Sequence, residues 1–180
     1  MLDAAVQGAT ESVVLVGSIA ASLVSSLAFM ACLTSLLGWL GGLLSLPGLS
    51  LEGVLGWLFY PLALLMGVPC GAREEEQQED ECQLVGVLLG LKTVLNEFVA
   101  YHRLVKLKPF LSPRSAAIST YALCGFSNPA ALGIQITVLG YLAPHRRANI
   151  AQVATSAFVA GSAASFLTAC VAATLIRDEQ

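Results

Sequence analysis

Charge is what this sequence has least of: 12% of its 180 residues are Asp, Glu, Lys or Arg, against about 25% in an ordinary soluble domain. The few charges are also bunched. None occurs from Ser12 to Ser50, Gly53 to Ala72, Cys82 to Leu91, Ser115 to Pro144 or Ala148 to Ile176. Hydrophobic residues make up 56% of the chain. A crossing of the hydrocarbon core needs roughly 20 mostly apolar residues, so several of these runs qualify, and water is excluded as the main solvent of the chain. Enzymatic signatures are missing too: there is no GxSxG, no HExxH and no glycine loop of the phosphate-cradling kind. His102 and His145 lie in basic loops and read as solvated, so no enzyme is expected. The five cysteines, Cys32, Cys70, Cys82, Cys124 and Cys170, show no CxxC or CxxH spacing. They read as packing residues rather than metal ligands, and neither a resident metal nor a cofactor is expected. Cys70 and Cys82 flank an acidic loop and could pair in an oxidising compartment. The start, MLDAAVQGATES, is polar and acidic rather than a signal peptide. Insertion is expected to rely on the apolar runs themselves or on sequence upstream.

What is present predicts an all-α integral membrane protein. A first span covers about 13–44 and is rich in Gly, Ala and Ser, which let helices approach closely in lipid. The run at 51–70 contains Trp57, Tyr60 and Pro61 and fits either a second crossing or a helix at the interface, where Trp and Tyr concentrate. The loop at 71–82 carries REEEQQEDE, which must stay solvated. Further spans are expected at about 116–142 and 150–176. The former is interrupted by CGFSNP at Cys124 to Pro129, and a broken helix at membrane depth is tolerated where it lines a cavity. Basic residues precede and follow this broken span, so charge leaves the orientation open.

The most informative segment is 84–101, LVGVLLGLKTVLNEFVAY. Its apolar arms are too short to cross, and Lys92, Thr93, Asn96 and Glu97 lie between them. That describes a re-entrant hairpin with a polar tip. A single continuous helix is the alternative, and it would place Lys92 and Glu97 at mid-membrane, where charge is costly. Glu97 is a functional candidate on either reading.

GLKTVLNEFVAY at Gly90 to Tyr101, TYALCGF at Thr120 to Phe126, Asn128, and LGI at Leu132 to Ile134 together resemble the concentrative nucleoside transporter family. Weaker agreement extends through AAVQGA at Ala4 to Ala9, LSLEG at Leu49 to Gly53 and FYPLALLMGV at Phe59 to Val68. The resemblance covers roughly residues 1 to 176. It implies cation-coupled nucleoside uptake, driven by sodium or protons, by a multi-pass protein of the plasma membrane assembled as a homotrimer, with nucleosides and membrane lipid as partners and no nucleic acid. It further implies that Glu97 accepts hydrogen bonds from ribose hydroxyls, that Asn128 engages the ribose, that Phe126 lies beside the base and that Asn96 orients Glu97. Lys92 reads as balancing charge or snorkelling. The plainer alternatives are a structural Glu97–Lys92 pair, ordinary packing of Phe126, and Asn128 as a helix cap. Ala131 departs from a serine common in the family, and Ser127, where alanine is usual, is read as lying one helical turn earlier and partly replacing that hydroxyl. The family's first hairpin, with much of the base recognition and the coupling-ion site, has no counterpart among these residues. A truncated, non-transporting subunit that regulates intact transporters is therefore the alternative function.

Overall fold

The computed structural model describes residues 2–44, 49–71 and 80–176, and these form an all-α fold. Helix α1, Leu2–Leu43, has 42 residues. At 1.5 Å per residue it is roughly 60 Å long, about twice the hydrocarbon thickness. It starts well before the expected residue 13. Its stretch Ile19–Leu43 is long and apolar enough to cross a membrane, and large side chains such as Val24, Leu27, Phe29, Leu36 and Trp39 are exposed. That surface suits lipid or another protein, not water.

Helix α2, Leu51–Leu65, opens on Ser50, whose Oγ accepts from the Gly53 amide at 3.1 Å. Its 15 residues fall short of a full crossing. It packs instead on α3, Glu81–Val94. The reason is a run of missing side chains. A Cβ on Gly86 would stand 2.6 Å from the Gly56 carbonyl oxygen, and one on Gly90 would stand 2.7 Å from the Leu55 Cβ. Gly86 and Gly90 form a small-xxx-small pair that brings the two backbones together.

Nearly every residue of α3 is buried, with Val85, Leu88, Leu89 and Leu91 at its centre, as expected of a helix apolar on all sides. The chain breaks at Leu95 and Asn96, so the segment is not one continuous helix. It resumes as α4, Glu97–Leu107. After a 3-10 turn at Lys108–Phe110, Ser112 caps α5, Pro113–Leu123. Ser112 donates from both its amide and its hydroxyl to Glu81 Oε2, at 3.2 and 2.7 Å. The start of α5 thus lies beside the start of α3, and α4 returns from the far end of α3 to its base. The two arms of the expected hairpin fold back on each other, and the second runs on to Leu107 rather than stopping near Tyr101. A salt bridge of 2.6 Å from Arg103 to Glu52 ties α4 to α2.

The expected break around CGFSNP is present. Helix α5 ends at Leu123, and α6, Pro129–Leu142, begins after it. Pro129 is therefore the first residue of a helix, where its missing N–H costs nothing, and not an interior residue that frees the Gly125 carbonyl. A second 3-10 turn, Pro144–Arg146, leads to α7, Arg147–Leu175. The stretch Pro144–Leu175 is the second one long and apolar enough to cross a membrane. Helix α7 passes back along α6 and α5, burying Ala169 and Ala173.

Cys70 and Cys82 are joined as a disulfide with Cα atoms 5.2 Å apart. Asp80 sits beside them, its carboxylate accepting from the Tyr60 hydroxyl, the Cys82 amide and the Gly71 amide. Of the expected acidic loop, residues 72–79 lie outside the described residues. Of the other cysteines, half-buried Cys170 packs against the core as expected, whereas Cys32 and Cys124 are exposed and correct the expectation. Cys32 lies on the exposed surface of α1, and Cys124 lies at the helix break, beside the Tyr101 hydroxyl of α4.

Candidate functional site

Two helix starts meet at the centre of the molecule, and each is built by the same local chemistry. Asn96, in extended conformation, accepts from the Val99 amide through Oδ1 at 2.9 Å and so caps α4. Asn128, also extended, accepts from the Ala131 amide at 2.8 Å and caps α6. Asparagine is a favoured N-cap because its short carbonyl reaches an amide that has no partner within the helix. Glu97 is the first residue of α4, at the positive end of that helix.

The two caps are joined across the break. Asn128 Nδ2 donates to Glu97 Oε2 at 2.5 Å, and both side chains are buried, at 1% and 7% exposure. Asn128 is therefore a helix cap through its carbonyl oxygen, and its amide nitrogen remains free of that task and reaches the carboxylate. Glu97 and Asn128 open into a cavity of 190 Å³ that is also lined by Asn96, Phe98, Phe126, Ala131 and Gln135. Ile19 and Leu23 of α1 supply an apolar wall. Phe126 lines the cavity and is 67% exposed. Asn96 Nδ2 is buried with no partner among the described residues.

Four of the five residues picked from the sequence, Asn96, Glu97, Phe126 and Asn128, therefore converge on one cavity. Ser127 does not line it. It precedes the cap of α6 and lies outside the helix, so it is not one helical turn before Ala131, as expected. Its Oγ is buried with no partner among the described residues. Lys92 does not snorkel, and it balances the charge of Glu97 from a distance rather than as a direct pair. It is fully buried, and its ammonium donates to the Ala122 carbonyl at 3.0 Å.

Gln135, Phe98 and the α1 residues escaped the sequence reading. Gln135 had a signal: it is the one amide in the apolar run LGIQITV, four residues beyond Ala131, and so falls on the same face of α6. Ile19 and Leu23 had none, because an apolar wall residue looks like any other residue of a span.

The site can be compared with known proteins. A family profile described as "Na+ dependent nucleoside transporter C-terminus" matches residues 1–173. Solute carrier family 28 member 3 of Eptatretus stoutii is 41% identical over 194 residues, covering 99% of this chain and 27% of that protein. The Homo sapiens protein of the same name is 38% identical, covering 97% and 26%. Sodium/nucleoside cotransporter 1 of Oryctolagus cuniculus is 34% identical, covering 97% and 28%. The chain thus spans roughly a quarter of the length of the curated relatives it matches. Among solved structures, CNTnw in an inward-facing substrate-bound state superposes with a TM-score of 0.84 at 37% identity, covering 96% of this chain and 40% of that one. A CNTnw variant in an outward-facing state gives the same TM-score at 36% identity. The profile takes in nearly the whole chain, and 96% of the chain superposes on the CNTnw transporter fold. This chain belongs to the concentrative nucleoside transporter family, as a C-terminal portion of one of its members.

Proposed function

We propose that the chain forms part of the transport region of a sodium-coupled nucleoside symporter, a multi-pass protein of the plasma membrane that works as a homotrimer. The observation that carries this reading is the buried Glu97–Asn128 pair, held at two meeting helix starts and open to a cavity beside an exposed aromatic ring. A carboxylate has two oxygens and room for several donors. With Asn128 on Oε2, Glu97 retains acceptor capacity for the vicinal hydroxyls of a ribose. Asn96 adds a buried amide donor, and the Phe126 ring offers a face to a heterocycle. Ser127 is the weakest member of the set because it stands outside the cavity lining. The sodium dependence named in the family profile, and in the names of the Sodium/nucleoside cotransporter relatives, supports sodium over protons as the coupling ion.

The second reading is a non-transporting subunit that regulates intact transporters. Uptake of radiolabelled uridine by cells expressing the chain, with and without sodium, separates the two. Sodium-dependent uptake abolished by Glu97→Gln is expected if the chain transports by itself. Binding of uridine without uptake would support the subunit reading.

A further inference from the structure

The ends of the helices that face the break from the other side carry a second set of contacts, which the nucleoside reading leaves unused. The last four carbonyls of a helix have no partner within it. In α5 the Thr120 carbonyl accepts from the Tyr101 hydroxyl of α4 at 2.9 Å, the Tyr121 carbonyl from the Cys124 amide at 3.2 Å, and the Ala122 carbonyl from the Lys92 ammonium of α3 at 3.0 Å. Both arms of the hairpin therefore grip the same helix end. Lys92 has no exposed surface, and its ammonium stands 5.1 Å from the centre of the Phe166 ring of α7.

A buried ammonium costs several kcal/mol unless it is compensated. Here it lies at the negative end of the α5 dipole, against an orphan carbonyl and over an aromatic face, each of which favours a cation. An apolar residue would fill the same volume without that cost, so packing does not explain a lysine at this place. Its chemistry is that of a fixed cation placed at a helix end.

We infer that Lys92 is a positioning residue for the nucleoside site: it holds the C-terminal end of α5 on α3 and thereby sets the break that carries Asn128 to Glu97. This inference rests on the nucleoside reading proposed above. Lys92 does not line the cavity, so it acts through the backbone. The link is short on both sides, running from Lys92 to Glu97 through the hairpin tip and from Ala122 to Asn128 through the break. Two rungs span these two links. One is Lys92 to Ala122, and the other is Asn128 to Glu97. Between them Gly125, with φ of 154°, takes a backbone conformation open to glycine and closed to most other residues. It lies between the lysine-held end of α5 and the Asn128 cap.

Exposed Cys124 lies within this link and reports on it. The test uses the full chain in lipid vesicles, with Cys32→Ser and Cys170→Ser to leave one free thiol, and measures the rate of maleimide labelling at Cys124 together with uridine affinity. Loss of a charge-assisted hydrogen bond in Lys92→Met is expected to raise the labelling rate about tenfold and to weaken uridine binding by a similar factor. Lys92→Arg, which keeps the cation, is expected to return both to within about threefold of the parent. A general packing defect would not be rescued by the bulkier arginine. Should Lys92→Met fail to insert, Lys92→Gln keeps a donor without the charge and is expected to give an intermediate labelling rate. Native labelling rates in the uncharged variants would overturn the inference, as would arginine labelling as fast as methionine. If the parent binds no uridine, the functional reading fails, while the labelling series still decides whether Lys92 holds the break.

Discussion

The two places where the chain interrupts a helix, at Leu95–Asn96 between α3 and α4 and at Cys124–Asn128 between α5 and α6, use one device to different ends. Each resumes on an extended asparagine whose Oδ1 takes the amide three residues on. The first interruption is short and tightly buried, and it delivers the carboxylate of Glu97. The second is longer, contains Gly125 with φ of 154°, and is held from outside by Lys92 and Tyr101. It delivers an amide and an aromatic ring. The difference lies in what each asparagine does with its nitrogen: Asn128 donates to Glu97, whereas Asn96 Nδ2 has no partner among the described residues. A shared cap fixes where a helix starts, and the spare nitrogen fixes what the site can bind.

The sharpest way to break this comparison is to remove the charge that only the first break supplies. Glu97→Gln keeps the shape and one carbonyl acceptor, and is expected to weaken uridine binding about 100-fold, since donors that met a carboxylate then meet a neutral amide. Next comes the backbone that only the second break requires. A Cβ on Gly125 would stand 2.6 Å from Ser165 Oγ, and the residue would also be strained at its φ. Gly125→Ala is expected to cost about 1–3 kcal/mol of local stability, read as roughly tenfold weaker binding. Adding Ser165→Ala should recover the steric part and leave the backbone part.

The asparagines themselves distinguish cap from ligand. Aspartate caps as well as asparagine, so Asn128→Asp and Asn96→Asp both preserve their helix starts. Asn128→Asp also sets a second carboxylate against Glu97 and is expected to cost about tenfold or more in uridine affinity. Asn96→Asp loses one spare donor and is expected to cost about threefold to tenfold. Equal effects would mean that the two breaks are functionally equivalent. The smallest expected change is Ala131→Ser, which places a hydroxyl in the cavity. It should tighten binding of uridine about threefold while leaving 2′,3′-dideoxyuridine unaffected. Unchanged affinity would show that the missing family serine costs this site nothing.

Much of this was legible in the sequence, for reasons that can be stated. Charge-free runs report on solvent, so the apolar stretches of α1 and α7 could be read directly. Short apolar arms around polar residues report on a helix that stops and placed the first break, while the CGFSNP interruption with its proline placed the second. Glu97 stood out because a carboxylate between short apolar arms has few structural reasons to be there, whereas Phe126 and Asn128 were marked by the family resemblance and not by their position. What stayed hidden depends on distance along the chain. Lys92 meets Ala122 thirty residues on, and no local pattern encodes which orphan carbonyl a buried ammonium will find. The α2–α3 contact had a local signal in the GVLLG run at Gly86 to Gly90, yet its partner, Gly56, lies in a segment that reads equally well as an interfacial helix. Ser127 was misplaced because spacing was counted along a helix that had not yet begun.

The central claim is that Glu97 and Asn128 form the ribose-binding part of a nucleoside site. Equilibrium binding of radiolabelled uridine to the purified chain in lipid vesicles, competed with 2′,3′-dideoxyuridine, tests it without requiring transport. The account predicts that the dideoxy compound competes about 100-fold more weakly than uridine against the parent chain, and that this discrimination disappears in Glu97→Gln. Equal competition by the two compounds against the parent, or full discrimination retained in Glu97→Gln, would contradict it.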